Sequence, residues 1–195
     1  MSFKGKTVLV TGAAGNLGRA VAAAFEREGA LLVLFDIDDK TLQAAYPGNL
    51  DGRMLVPVNL LDPASVAKAV DSALARCGRI DVLCNIAGGF RMGDPVHATS
   101  DEVWTRMLDL NTRTLIHAVR AAVPHMLAQR GGKIVNIGAT AALSAGANMG
   151  AYAASKSIVI RLTESRSAEL KRQGSNVNCG LPSIIDTPVN RKDMP

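Results

Sequence analysis

The chain has 195 residues, enough for one domain with a substantial core. Hydrophobic residues make up 48% but aromatics only 4%, so Ala, Val, Leu and Ile must build the interior, and no apolar run reaches the about 20 residues of a membrane span. The net charge of +5 comes from Lys and Arg interleaved with acids. With no basic block carrying aromatics, this argues for a solvated surface and against nucleic-acid binding.

The start, MSFKGKTVLV, has neither a long apolar stretch nor a small-residue cleavage site, so no secretory signal is read there. Cys77, Cys84 and Cys179 are odd in number and show no CxxC spacing. Thiols in a reducing cytoplasm explain them better than disulfides or a metal site.

In chain order, KTVLVTG (6–12) reads as a buried strand, followed by a helix from about Asn16 to Glu28. LLVLFD (31–36) and MLVPVNL (54–60) are further strands, the second tolerating Pro57 only at a sheet edge. PASVAKAVDSALAR (63–76) is helical, with Asp62 placed to cap it. DVLCNIAG (81–88), a long helix from about Asp101 to Gln129, KIVNIGA (133–139), a helix from about Tyr152 to Gln173, and NVNCGL (176–181) complete the pattern. Strands that are apolar throughout and alternate with helices imply an α/β fold: a Rossmann-like, doubly wound parallel sheet of about six strands, covered on both faces. Ligands then belong at the carboxyl ends of the strands.

The first strand runs into TGAAGNLG (11–18). Gly12 suits a tight turn, while Gly15 and Gly18 would let backbone approach a pyrophosphate at the next helix's N-terminus. Asp36 ends the second strand about 20 residues on, where a carboxylate can accept from the adenosine ribose hydroxyls. It could equally cap the DDKTLQAA segment, a role for which Asp38 and Asp39 also compete. Loop and acid together favour a nicotinamide dinucleotide. Tyr152 and Lys156 stand at i and i+4, so one helix face carries a phenol beside an ammonium. A cation there favours phenolate and moves its pKa from near ~10 toward working pH.

These stretches, together with CNIAGG, Asn111, YAASK and LPSIIDT (181–187), resemble the short-chain dehydrogenase/reductase family along nearly the whole chain. The resemblance implies an NAD(H)-dependent oxidoreductase, moving hydride between nicotinamide and a small carbonyl, alcohol or quinonoid substrate. Tyr152 would be general acid/base, and Lys156 would lower its pKa and bond the nicotinamide ribose. Asn111 would hold a water leading from Lys156 to solvent. Gly12, Gly15, Asn16, Leu17, Gly18 and Asp36 would hold the adenosine and pyrophosphate, with Asn59 and Leu60 bordering the adenine. Asn85, Ala87 and Gly88 would line the ribose side. Pro182, Ile185 and Thr187 would lie by the nicotinamide, the last two meeting its carboxamide. Family members pair into dimers or tetramers through the helices matching 101–129 and 152–173.

Two departures stand out. The family's catalytic serine aligns with Ala139, and Thr140, its neighbour on a strand end, should point to the other side. The chain also stops shortly after Thr187, where relatives continue into another strand and helix, so a single domain over 1–195 with an exposed sheet edge is expected. CNIAGGF, GATAALSAGANMGAYAASK and DTPVNRKDMP further resemble the dihydropteridine reductase branch, which likewise lacks the serine and reduces quinonoid dihydropterins with NADH. A quinonoid ring is electron-poor and needs less polarisation than a ketone. The rival reading is a non-catalytic dinucleotide-binding scaffold or sensor, which would have no use for Tyr152, Lys156 and Asn111 together.

Overall fold

The structure is a computed structural model and describes residues 2–187 and 190–191. Six strands, β1 (Thr7–Thr11), β2 (Leu31–Asp36), β3 (Arg53–Pro57), β4 (Val82–Asn85), β5 (Lys133–Ile137) and β6 (Asn176–Gly180), form one parallel sheet in the order β3-β2-β1-β4-β5-β6. Around them run α1 (Asn16–Arg27), α2 (Asp39–Ala45), α3 (Pro63–Cys77), α4 (Asp101–Leu108), α5 (Thr114–Ala128) and α6 (Gly150–Leu170). The expected doubly wound architecture is present. Among the described residues, no helix is long and apolar enough to cross a membrane.

β1 lies at the centre, and all five of its residues are buried. Successive side chains take opposite faces. Leu9 joins Phe35, Val66, Val70, Leu83, Val123 and Ile134 under α3, α5 and α6. Val8 and Val10 join Ala22, Leu34, Leu42 and Val82 under α1 and α2. The strand order reverses between β1 and β4, so their carboxyl ends open the crevice in which such sheets bind ligands. Pro57 ends β3, an edge strand, as its missing N–H requires.

Several strands are shorter than the sequence suggests, because their last residues leave the sheet to build loops. The expected 81–88 strand stops at Asn85, 133–139 stops at Ile137, and 54–60 stops at Pro57. The helix expected over 101–129 runs as α4 and α5 joined by a π-turn at Asp109–Arg113. The last helix starts at Gly150 and ends in a tighter turn at Lys171–Gln173. Asp62 caps α3 through Ala64 N, and Asp38, not Asp36, caps α2 through Thr41 N. Asp36 is therefore free of the capping role.

The loop after β1 is fastened on its outer side. Ala13 N donates to Phe35 O at 3.0 Å, and the buried Tyr46 hydroxyl donates to Ala13 O at 2.6 Å. Burial pushes the Tyr46 phenol up to about 12, so it stays a donor. The Arg53 guanidinium lies 5.7 Å over its ring and forks onto Glu26 at 2.6 and 2.8 Å. Tyr46→Phe strips the buried Ala13 carbonyl of this donor. Urea unfolding should show a loss of about 1–3 kcal/mol with an unchanged m value.

Candidate functional site

Two adjoining clefts open at the carboxyl end of the sheet. The first, about 510 Å³, is lined by the β1–α1 loop, Asp36, Asn59, Leu60, Ala87 and Gly88. The second, about 520 Å³, is lined by Tyr152, Lys156, Phe90, the 137–141 stretch, residues 182–185 and Thr187. Leu17, Ile86 and Gly88 border both, so one elongated ligand can span them.

The first cleft begins where two backbones nearly touch. Gly12 has φ +63, and a Cβ there would lie 2.8 Å from Ala87 Cα. A Cβ on Gly18 would lie 2.1 Å from Gly12 O, so Gly18 serves loop-to-helix packing more than ligand approach. Gly15, exposed and meeting only Gly12 O at 3.3 Å, is the position that leaves the entrance open. It is also the N-cap of α1, which has no capping side chain and no acid in its first turn. The first-turn N–H groups have no acceptor within the helix, and the helix end favours an anion. Asp36 accepts from Ala14 N and Ile37 N, both at 2.8 Å. Each carboxylate oxygen keeps lone-pair capacity toward the cleft. A phosphate cradle with a hydroxyl-accepting carboxylate beyond it suits a dinucleotide.

Gly12, Gly15, Asn16, Leu17, Gly18, Asp36, Asn59, Leu60, Ala87 and Gly88 all line the first cleft. Tyr152, Lys156, Pro182, Ile185 and Thr187 line the second. Asn85 lines neither. It is buried, and its amide donates to Asn136 Oδ1 at 2.8 Å, tying β4 to β5. Asn111 sits in the π-turn, a device that re-aims a side chain at functional sites. Its Oδ1 accepts from Gly89 N at 2.9 Å, and its Nδ2 donates to Gly89 O and to Ser155 Oγ, both at 3.0 Å. Asn111 thus clamps the loop after β4 against α6.

Tyr152 and Lys156 share the cavity, as their spacing predicts, but the phenol is not depressed. Burial raises the Tyr152 pKa above its usual 10. Lys156 is 5% exposed, and its Nζ donates to Ile137 O at 2.9 Å. Burial lowers its ammonium to about 8, opposed by Cys179. Burial is the cause of the Tyr152 shift, while Lys156 directs one N–H to the β5 carbonyl. Thr140 also departs from expectation. β5 has already ended, residues Thr140–Ala142 form a tight turn, and Ala139 and Thr140 both border the cavity.

Two supporting residues were not singled out from the sequence. Thr11 Oγ1 accepts from Ile86 N and Ala87 N, both at 3.1 Å, fastening the second loop beside the first. Ser155 Oγ receives Asn111 and itself donates to Tyr152 O at 2.7 Å. A polar residue inside a buried strand and a serine between tyrosine and lysine are the signals that could have marked them.

Residues 6–195 match the short chain dehydrogenase family. This chain belongs to the short-chain dehydrogenase/reductase family. Rat dehydrogenase/reductase SDR family member 6 is 35% identical over 95% of this chain and 74% of that protein. The 3-oxoacyl-[acyl-carrier-protein] reductase FabG of Thermotoga maritima is 32% identical over 98% of this chain and 79% of its own. Among solved structures, NAD+-bound xylitol dehydrogenase superposes with a TM-score of 0.93 at 30% identity, covering 98% of this chain and 76% of that one. The chain is an oxidoreductase of a family that binds a nicotinamide cofactor.

The depressed Lys156 pKa has a thermodynamic signature. Below pH 8 the lysine is charged in both folded and unfolded states, and burying that charge costs stability. Between about 8 and 10.5 the unfolded chain holds the proton that the folded one has released, so this penalty fades as pH rises. The total is about 3 kcal/mol. Other groups titrate above pH 9, so the difference between wild type and Lys156→Met isolates it. The variant's advantage in urea unfolding should shrink as pH climbs from 8 to 10.

Proposed function

We propose that the protein is an NAD(H)-preferring oxidoreductase acting on a small carbonyl, alcohol or quinonoid compound. What carries this reading is the convergence of Tyr152, Lys156 and the 182–187 segment on a cavity continuous with the phosphate cradle. A bound nicotinamide supplies or accepts the hydride. In reduction the substrate carbon takes the hydride, and its oxygen takes the proton from the Tyr152 hydroxyl, which solvent then restores. Lys156 has two N–H groups beyond the one given to Ile137 O, and these are suited to ribose hydroxyls. Asn111 holds the Gly89 backbone in place, and Pro182, Ile185 and Thr187, which line the same cavity, would flank the nicotinamide. A scaffold that only bound the dinucleotide would need no phenol in the second cavity.

Asp36 supports NAD(H) over the phosphorylated form. A 2′-phosphate about 4 Å from that carboxylate is opposed by ~1 kcal/mol in water and ~4 at an effective dielectric of 20. We further place the protein in the cytoplasm, with Cys77, Cys84 and Cys179 as thiols, and as a dimer or tetramer paired through the 101–128 and 150–170 helices. Half-buried Trp104, Ile116, Ile158 and Ile160 on those helices support the pairing. The decisive experiment compares wild type with Tyr152→Phe. NADH should bind both alike and more tightly than NADPH, while turnover falls by about two orders of magnitude or more in the variant. Equal turnover removes the assigned role of Tyr152, and tighter NADPH binding removes that of Asp36.

Buried Ala139 favours one second reading, reduction of a quinonoid dihydropterin. An activated acceptor can dispense with a hydroxyl donor beside the phenol. Ala139→Ser should then leave kcat/KM for quinonoid dihydropterin unchanged or lower, since the new hydroxyl needs a partner. For a ketone it should raise kcat/KM, a positioned donor being worth up to ~2–4 kcal/mol. A large gain on the pterin would remove the quinonoid explanation of the alanine.

A further inference from the structure

The wall of the second cavity restricts what can stand beside Tyr152. Resting on the oxidoreductase reading above, we propose that the substrate is a neutral compound with a flat aryl or unsaturated body next to its carbonyl, and that Phe90 selects for that body.

Phe90 is 50% exposed, and its ring rests on that of Tyr152. It stands edge-on to the Tyr152 ring, centroids 4.9 Å apart at 89°. The preceding residue, Gly89, is clamped through both its N–H and its carbonyl by Asn111. An aromatic surface is therefore presented to the cavity directly beside the phenol. Met149, Ile184 and the methyls of Ala139 and Ala141 complete an apolar wall. Ile184 is 71% exposed, so it is available for contact.

Charge complementarity points the same way. Among the described residues, the cavity lining holds no Asp, Glu, Arg or His, and Lys156 is its one charged side chain. That ammonium gives one N–H to Ile137 O and, on the reading above, its other two to ribose hydroxyls, which leaves none for the substrate. An anionic substrate would shed water and find no free counter-ion. A polyol would fare little better: Asn190 already donates its amide to Ile185 O, and Thr187 Oγ1 already accepts from Asn190 N, so besides the Tyr152 phenol only the Thr140, Ser183 and Thr187 hydroxyls are left to meet several hydroxyl groups. An aryl or quinonoid body instead exchanges water for ring and aliphatic contacts, and an aromatic partner for Phe90 adds an offset or edge-to-face term.

Matched α-keto compounds separate the two claims. Methyl benzoylformate and benzoylformate differ in charge, whereas methyl benzoylformate and methyl pyruvate differ in the ring. With NADH and wild-type protein, kcat/KM should be highest for methyl benzoylformate and at least about tenfold lower for its acid. Phe90→Ala should cut the aryl-over-alkyl ratio about three- to tenfold, and Phe90→Tyr should restore it. Binding of the same three compounds in the presence of NAD+, followed by saturation-transfer NMR, should give the same order. If none is reduced but the binding order holds, the hydride-transfer reading fails while this assignment of the wall stands. If benzoylformate equals or displaces its ester, or if Phe90→Ala leaves the aryl-over-alkyl ratio unchanged, the proposal is overturned.

Discussion

The close approach of two loops at the seam between β1 and β4 is the constraint on which the site depends. Gly12 turns back with a left-handed φ, leaving no room for a side chain against Ala87. The buried Thr11 hydroxyl, one residue earlier, accepts two N–H groups from the facing loop. The facing loop cannot move away without unpairing those two N–H groups, which is costly for buried donors. This seam is where the strand order reverses, so the crevice it frames is a consequence of topology. Both clefts share residues from it, which is how a phosphate cradle on one side is held in register with Tyr152 on the other.

A second set of buried polar contacts extends that register to α6. The π-turn inserts Asn111 between Gly89 and Ser155, and Ser155 is bonded to the Tyr152 carbonyl. The loop bearing Phe90 and the helix bearing Tyr152 are therefore connected by a short chain of hydrogen bonds rather than by packing alone. Such a chain specifies geometry because each member loses its partner if any one moves. Asn85, Asn136 and Thr163 do the same deeper in the sheet.

Much of this was legible in the sequence, and the failures have physical causes. The six strands and the edge position of Pro57 followed from apolar runs and from a missing N–H. Asp36 could not be separated from Asp38 by sequence, because both precede the same helix. Only the geometry shows Asp38 capping α2 while Asp36 faces the cleft. The i, i+4 spacing of Tyr152 and Lys156 placed both at one cavity but did not reveal that a β5 carbonyl holds the ammonium. Periodicity does not register contacts made across elements, and for that reason it also missed Tyr46 under the glycine loop, Thr11 at the seam and Asn85 between strands. The alternation rule failed at Thr140 because it was applied three residues past the end of the strand.

The protonation pattern carries one more step. Burial acts in opposite directions on the two groups, raising the phenol and lowering the ammonium, because it penalises the charged form of each. In this arrangement Tyr152 is a neutral donor at ordinary pH, which in the proposed reaction equips it to protonate a developing alkoxide. In that reaction the reverse direction requires a phenolate, and Lys156, one helical turn away in the same cavity, is the cation that can stabilise it. The ribose hydroxyls of a bound dinucleotide are the groups able to compete for that ammonium. On the proposed reading, cofactor binding and the acidity of the Tyr152 phenol would be linked through one lysine on the same helix.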